Sequence, residues 1–528
     1  MKRTIKLNLF FFTLLIVCPI LAFSQAGKLD STFGVNGIVT TDFGTLMDMV
    51  TTMVRQSDGK IILGGSSNRK IGERAFALAR YNANGSPDNT FDSDGKLTLL
   101  IGTDDAANSM TLQTDGKIVL AGGSFNGTYA DVAVLRFKTN GTLDSSFNKV
   151  GYITTAIGTR TEYARALAIQ TDGKIVTGGA YNDNTEFNFL LTRYNSNGKL
   201  DSSFSSDGIV TLNIGSGNDI INSLVLQPDG KILVTGTLSF GGGASDFVVA
   251  RFNIDGTLDD SFGSIGKTIT SINPIGEDYP TTILLQSDGK IIVVGNTDSS
   301  TEQHIAMVRY NKDGSLDPTF SSDGKVTTDI NSGYSSGNAA TLQPDGKIVV
   351  TGSAYNGTNT DLILARYNSD GNQDNKFGKG GIQIYSFTDY NDIGSAVIIQ
   401  PDSKIIVGGS STKGTNDYYF TLSRHFSKLD LGIIDLTHLK NDSPEKVLIY
   451  PNPVNDLTNL EYTLQNEEII TIQLIDLQGK IIKTFIQNEK QFVGRHEQVI
   501  NLPVNLVSGT YLINISSPNG EIGIKVMK

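Results

Sequence analysis

The sequence predicts an all-β protein: a seven-bladed β-propeller closed by its N-terminal strand, followed by a small C-terminal β-sandwich. Three observations carry this prediction. First, a Gln-x-Asp-(Gly/Ser)-Lys-Ile motif occurs seven times, with its Gln at positions 56, 113, 170, 227, 286, 343 and 400. This spacing, 57 residues except for one interval of 59, is typical of a propeller. Second, the incomplete repeats at the two ends of the array complement each other. Third, apolar and polar residues alternate after the array.

The first 24 residues have the features of a signal peptide. A basic start is followed by an apolar run and by small residues up to Ser24. The run is short and contains Pro19, so we expect no transmembrane segment once this peptide is removed. The only cysteine, Cys18, follows Val17 rather than the small residue of a lipoprotein signal. The mature chain is therefore expected to contain no disulfide.

Composition restricts the partners. The net charge of −11 argues against a nucleic-acid ligand, because such proteins concentrate basic residues. The 57 glycines and the absence of tryptophan indicate turns and strands rather than helical cores.

Each repeat predicts one four-stranded blade. An alternating segment before the Gln and a β-branched segment after it are joined by an Asp-Gly turn, which is typical of a hairpin. A third strand ends in Arg-Tyr or Arg-Phe, except in the seventh repeat, where it ends in Arg-His. A second turn, Asn-x-(Asp/Asn)-Gly, then leads through Leu-Asp-x-(Ser/Thr)-Phe, or a close variant, to a fourth strand. Four short strands in one repeat make one propeller blade.

The ends of the array predict how the ring closes. The Leu-Asp-x-(Ser/Thr)-Phe element first occurs at Leu29 to Phe33, before any Gln motif, whereas the seventh Gln unit ends without such an element. The segment from Leu29 to Phe43 should therefore supply the fourth strand of the seventh blade, which removes an open sheet edge. An open solenoid is the alternative, but it would need capping repeats at both ends.

These repeats resemble the delta-60 family of bacterial surface repeats, in which Gln-Pro-Asp-Gly-Lys-Ile and Arg-Tyr-Asn-x-Asp-Gly-Ser-Leu-Asp-x-Ser-Phe recur. The resemblance covers about residues 27–428 and implies a propeller scaffold to which no reaction is assigned.

Residues 429–445 form a polar linker, and residues 446–528 resemble the type A C-terminal sorting domain of the Bacteroidetes type IX secretion system. The matching features are the opening Tyr450-Pro451-Asn452-Pro453, the Asp-x-x-Gly-Lys turn at 476–480, the Gly-Thr-Tyr strand at 509–511 and the Lys-rich last strand. The resemblance implies the type IX machinery as a partner, removal of this domain, and a protein secreted or held at the outer cell surface. An ordinary adhesive sandwich is the alternative.

Repetition argues against catalysis by the most regular polar residues, since a catalytic group is needed once. An arginine ends the third strand of every repeat, and in six repeats an aspartate follows eight residues later; we expect these residues to form structural ion pairs. The six pairs are Arg80 with Asp88, Arg136 with Asp144, Arg193 with Asp201, Arg251 with Asp259, Arg309 with Asp317, and Arg366 with Asp374. Arg424 is predicted to pair with Asp30 across the two chain ends.

The sequence contains no motif that requires a cofactor. The stretch from Asn311 to Asp317 resembles part of a calcium loop but lacks the distant bidentate Glu, so a simple turn is favoured and calcium stays an open alternative. The four histidines do not cluster, and no nucleophile elbow or phosphate loop is present. We therefore expect no enzyme activity.

Loops that differ between blades are the predicted place for an unknown extracellular ligand, a glycan or a protein. The candidate residues are Tyr129, Tyr181, Glu186, Asp278, Tyr279, Tyr334, Tyr355, Asp389 and Tyr390. The function expected is that of a secreted or cell-surface scaffold or adhesion protein. A carbohydrate-active hydrolase or lyase with carboxylates on these loops is the alternative, because propeller enzymes assemble such groups from different blades.

Overall fold

The computed structural model describes residues 26–427 and 448–528, except 71, 241–242, 299–301, 331–332, 415–416, 451–456, 465, 477–479, 504, 508 and 518–519. The predicted signal peptide and linker lie outside the described residues. The contacts divide the chain into two units between residues 428 and 429. No helix among the described residues is long and apolar enough to cross a membrane.

The first unit contains strands β1 to β28, grouped in chain order as follows. The N-terminal strand is β1 (Ile38–Thr41). Blade 1 holds β2 (Asp48–Arg55), β3 (Ile61–Lys70), β4 (Glu73–Tyr81) and β5 (Lys96–Leu99). Blade 2 holds β6 (Asp105–Leu112), β7 (Ile118–Phe125), β8 (Ala130–Phe137) and β9 (Tyr152–Thr155). Blade 3 holds β10 (Glu162–Ile169), β11 (Ile175–Asn182), β12 (Phe187–Tyr194) and β13 (Ile209–Leu212).

Blade 4 holds β14 (Asp219–Leu226), β15 (Ile232–Ser239), β16 (Ser245–Phe252) and β17 (Lys267–Thr270). Blade 5 holds β18 (Asp278–Leu285), β19 (Ile291–Asp298), β20 (Gln303–Tyr310) and β21 (Lys325–Thr328). Blade 6 holds β22 (Ser335–Leu342), β23 (Ile348–Tyr355), β24 (Thr360–Tyr367) and β25 (Ile382–Tyr385). Blade 7 holds β26 (Asp392–Ile399), β27 (Ile405–Thr412) and β28 (Tyr418–His425), and β1 completes it.

Each of these seven described sheets is a four-stranded antiparallel meander, and the all-β propeller fold class is confirmed. The first strands of consecutive blades contact one another, and β26 contacts β2, so these strands are innermost and the blades form a ring. In blade 7, β1 pairs with β28 from Ile38 opposite Ser423 to Thr41 opposite Phe420. The apolar core lies between neighbouring sheets, where each middle strand buries almost every residue.

The second unit is a separate pair of sheets. One sheet contains β29 (Leu448–Tyr450), β30 (Leu457–Leu464) and β33 (Gly494–Asn501). The other contains β31 (Glu468–Ile475), β32 (Ile481–Gln491), β34 (Thr510–Ser517) and β35 (Gly520–Met527). Leu460 and Ile500 of the first sheet share one buried cluster with Ile472 and Ile513 of the second. This is the two-layer packing of a small β-sandwich.

Candidate functional site

The strand order gives the propeller two different faces. The turn between the first and second strands and the turn between the third and fourth strands lie on one face, here called the repeat face, since a meander reverses direction at every turn. The loop between the second and third strands and the link from one blade to the next lie on the other, here called the variable face. The predicted ion pairs belong to the repeat face and the candidate ligand residues to the variable face.

The structure brings each predicted arginine together with its aspartate. In every blade the arginine Nε donates to the aspartate Oδ2 at 2.6 to 2.9 Å, and in blade 7 this bond joins Arg424 to Asp30 at 2.7 Å. The lysine of the Asp-(Gly/Ser)-Lys turn is a third member of each cluster, with its Nζ 2.6 to 3.4 Å from the same carboxylate. The sequence analysis did not assign this lysine, although it recurs in every repeat.

Each arginine also links its blade to the next one. Nη1 donates to a backbone carbonyl of the neighbouring blade's second turn, as Arg251 does to Lys312 at 2.7 Å, and Arg424 reaches Ala83 of blade 1 at 3.0 Å. The guanidinium carbon lies 4.5 to 4.8 Å from the ring centroid of the Phe that ends the Leu-Asp-x-(Ser/Thr)-Phe element. The arginines therefore brace neighbouring blades as well as their own.

Electrostatics keep these aspartates ionised although they are buried. Burial alone would raise the pKa of Asp30, but hydrogen bonds from Thr32 and Lys404 and the charge of Arg424 lower it to about 2. The pKa of Asp88 and that of Asp144 are lowered to about 2 in the same way.

The stretch that resembles part of a calcium loop forms a turn held by its own side chain. Asp313 Oδ1 accepts hydrogen bonds from the backbone N–H of Ser315 at 3.0 Å and from its hydroxyl at 2.7 Å. Gly314 has a φ of +87°, and a Cβ there would lie 2.9 Å from the ring of Phe262 in the preceding blade. No group of three or more His, Cys, Asp or Glu side chains that could hold a metal occurs in the described part of the chain.

The variable face contains a ring of buried acids that the sequence analysis missed. The first residue of the innermost strand, eight positions before each motif Gln, is buried in every blade and is acidic in six. These residues are Asp48, Asp105, Glu162, Asp219, Asp278 and Asp392, with Ser335 in blade 6. The six carboxylates accept backbone N–H groups of the preceding link at 2.6 to 2.9 Å. The fixed eight-residue offset could have revealed them.

These acids stabilise the links between blades, and this corrects the assignment of Asp278. Asp278 was predicted as a ligand residue, but its side chain is wholly buried and bonds to the backbone N–H groups of Ile272 and Asn273. Burial raises the pKa of the Asp278 carboxyl. It also raises that of Glu162 to about 7, against the effect of the Gly158 and Ile157 N–H groups.

Two candidate tyrosines meet in one pocket, here called the tyrosine pocket. It is an open cavity of about 360 Å³ lined by Gln303, Tyr334, Ser336, Ser353, Tyr355 and Thr360. Tyr334 is 55% exposed and Tyr355 42% exposed. The Tyr355 N–H donates to the Tyr334 carbonyl at 2.8 Å, and the hydroxyls of Ser336 and Ser353 lie 3.0 Å apart. The pocket therefore combines two aromatic rings with hydroxyl and amide groups at the boundary of blades 5 and 6.

The other candidate residues are spread around the variable face. The Tyr129 ring lies 5.6 Å from the guanidinium carbon of Arg160, and the Glu186 carboxylate accepts the Asn213 amide at 2.6 Å. Tyr181 is half-buried at the end of β11. Tyr279 is half-buried in β18, whereas Asp389 and Tyr390 are exposed on the link into blade 7, and the Tyr390 carbonyl accepts from Asn359 at 2.8 Å. The structure thus brings Tyr334 and Tyr355 together in one pocket and distributes the other candidates among further loops, links and strand ends of the variable face.

The fold and the repeated clusters define a β-propeller repeat protein with a separate C-terminal β-domain. The family described as "Domain of unknown function (DUF5122) beta-propeller" matches residues 56–91, 113–147, 170–204, 227–262, 286–320 and 343–377. The family described as "Secretion system C-terminal sorting domain" matches residues 448–528. The chain therefore carries DUF5122 propeller repeats and a secretion sorting domain, and both predicted resemblances are confirmed. It is a secreted or cell-surface protein.

Each matched propeller block runs from a motif Gln to the following Phe. The corresponding block of blade 7 is split between the two chain ends, since it begins at Gln400 and ends at Phe33.

No curated protein matches this chain. Solved structures similar to it include polysaccharide lyase Uly1, with 10% identity over 73% of this chain and 91% of that one and a TM-score of 0.42. A protein of unknown function from Dyadobacter fermentans has 9% identity over 74% and 98%, with a TM-score of 0.40. Drosophila Plexin A in complex with Semaphorin 1b has 8% identity over 76% and 88%, with a TM-score of 0.40. Likeness at this level carries no argument about function.

Proposed function

We propose that this protein is a surface-presented binding protein and that the tyrosine pocket takes a polar, extended ligand, for which a glycan is the best-fitting class. The observation that carries the proposal is that Tyr334 and Tyr355, each more than two-fifths exposed, line one pocket together with a pair of serine hydroxyls within hydrogen-bond distance. Tyrosine rings offer a flat apolar surface with a polar tip, which suits the mixed faces of a sugar ring.

The lining favours binding over turnover. None of the six residues around the tyrosine pocket is a carboxylate, a histidine or a lysine, so its tyrosine hydroxyls are the groups that could transfer a proton. The pair of carboxylates that most glycoside hydrolases use is not part of this lining. Ser335, the one non-acidic residue in the ring of buried acids, directly follows Tyr334. This local neutrality suits an uncharged, hydroxyl-rich ligand.

The test is a glycan array probed with the mature protein, followed by titration of the retained glycans. Tyr334→Ala and Tyr355→Ala should each weaken binding about tenfold or more, as loss of an aromatic anchor does. Phe240→Ala is the matched control, because Phe240 is a 46% exposed aromatic on the variable face of blade 4. Equal binding by all variants would refute the site, and release of shortened glycans would instead establish the hydrolase or lyase alternative.

A further inference from the structure

A belt of polar side chains surrounds the central channel. Every innermost strand has a β-bulge at its fourth residue. The seven bulge residues are Thr51, Asn108, Arg165, Asn222, Thr281, Asn338 and Ser395. Five of them donate to a backbone carbonyl of the next innermost strand at 2.7 to 2.9 Å: Thr51, Asn108, Asn222, Thr281 and Asn338. These bonds tie the blades together where they meet around the channel.

Arg165 breaks this pattern. Its Nη1 donates at 2.6 Å to the Asn222 side chain instead of to a backbone carbonyl, and its guanidinium carbon lies 5.4 Å from the Tyr163 ring centroid. The side chain is exposed, so the structure presents a guanidinium with further N–H donors to the channel. The other six blades have Thr, Asn or Ser at this position, so the propeller fold does not require an arginine here.

The distribution of charged residues on the innermost strands favours the binding of an anion beside Arg165. Apart from the buried acids at their first positions, the seven innermost strands contain only two charged residues, Arg165 and Arg55, and Arg55 ends its strand on the repeat-face side. The acid nearest in sequence, Glu162, directs Oε1 at the backbone N–H of Gly158 rather than into the channel. A cation on an exposed position of the innermost strands attracts anionic ligands that enter the channel.

We propose that Arg165 makes the central channel a binding site for a carboxylate or sulfate group. Guanidinium binds both groups through a planar pair of N–H bonds. This site is separate from the tyrosine pocket, so the two proposals can fail independently.

The decisive variant is Arg165→Asn, which installs the residue that blades 2, 4 and 6 have at the same position. Because Asn108, Asn222 and Asn338 are accommodated there, the ring should still close, and thermal unfolding of the variant checks this. Arg74→Asn is the control: it removes the same charge from an exposed arginine that pairs with Asp104 on the variable face.

Calorimetric titration at low ionic strength would use inorganic sulfate, glucuronate and, as a neutral probe, glucose. We expect saturable binding of sulfate, glucuronate or both, weakened about tenfold or more in Arg165→Asn and unchanged in Arg74→Asn. Sulfate binding alone would assign a sulfate site, and glucuronate binding would assign a site that accepts carboxylates. No binding of either anion to the wild type, or equal binding by Arg165→Asn, would overturn the proposal.

Discussion

A buried arginine on the repeat face has a partner on every side. In blade 5, Arg309 Nε bonds to Asp317 at 2.7 Å and Nη2 to the Thr319 hydroxyl at 3.0 Å, while its guanidinium carbon lies 4.6 Å from the Phe320 ring centroid. Burying a charge is costly unless such partners replace water. Removing one of these arginines should therefore lower the free energy of unfolding mainly because its buried partners are left without a hydrogen-bond donor or counter-charge.

Arg309→Met should lower the free energy of unfolding by about 3 kcal/mol, because it leaves the buried Asp317 with Lys290 as its remaining cation. Chemical denaturation would measure the loss. The control is Arg74→Met, whose ion pair with Asp104 is exposed and should be worth less than about 1 kcal/mol. Similar losses in the two variants would contradict a structural role for the buried clusters.

The two sets of buried acids predict opposite pH dependences. The pKa of Asp30, about 2 when folded and 3.8 in its ordinary state, means that its stabilisation is present above pH 4 and is lost as the pH falls towards 2. The pKa of Glu162, raised from 4.5 to about 7, means that folding favours its protonated form. Its contribution to stability is therefore largest at low pH and declines as the pH rises from 4.5 to 7.

Glu162→Gln should remove the decline that this residue causes between pH 4.5 and 7, because glutamine is neutral throughout and can still accept the Gly158 N–H. Melting temperatures measured across this range would show a flatter profile than the wild type. Glu186→Gln, a change on a neighbouring half-buried loop residue, should leave the wild-type profile in place. A decline that persists in Glu162→Gln would show that this carboxyl is not its source.

At the scale of elements, the ring closes through a segment far away in sequence. Besides the β1–β28 pairing, the Gly27 N–H donates to the Phe426 carbonyl at 2.7 Å and the Asp30 N–H to the Arg424 carbonyl at 2.8 Å. Phe33 is completely buried. The N-terminal segment thus supplies a strand, an ion-pair partner and a core side chain to blade 7.

Deletion of residues 29–43 should therefore destabilise the propeller more than any single ion-pair variant and should promote self-association through the bare edge of β28. Calorimetry and light scattering would detect the two effects. A synthetic peptide of residues 26–43, added in trans, should restore part of the melting temperature, whereas a scrambled peptide should not. A truncated protein that melts like the full one would refute closure by this segment.

At the scale of the whole molecule, the propeller and the sorting domain have separate cores. The buried cluster of the sorting domain contains only residues of that domain. The chain leaves β28 on the repeat face, because the third strand of each meander runs towards that face. The tyrosine pocket lies on the opposite, variable face of the propeller.

In a host with the type IX machinery, a chain with one tag in the propeller and one at the C-terminus should appear outside the cell with only the propeller tag. The sorting domain directs export, and its family resemblance implies that it is removed. Cell fractionation and immunoblotting would show this. A chain that ends at residue 428 should stay in the periplasm with an unchanged propeller melting temperature; its appearance outside the cell would contradict the role of the sorting domain.

The pairings that could be predicted are those with a constant sequence offset. The eight-residue spacing of Arg251 and Asp259 spans one turn, so it repeats in register and indicates contact. The pairing of Arg424 with Asp30 followed from the one place where that spacing fails. Asp278 was misassigned because its position next to a variable loop does not reveal that its side chain turns inwards to the backbone of that loop.

The sequence alone determined the blades, the sandwich and the closing segment, because turns and strand pairs form between neighbouring stretches whose residue patterns recur. Tertiary structure alone decided what meets between blades. The approach of Gln303 to Tyr334 and Tyr355, the links from each arginine to the next blade, and the exposure of Arg165 in the channel all depend on how rigid sheets pack around a ring. Side-chain patterns specify a sheet's apolar faces, but the curvature of the ring and its bulges set which polar groups come within hydrogen-bonding distance.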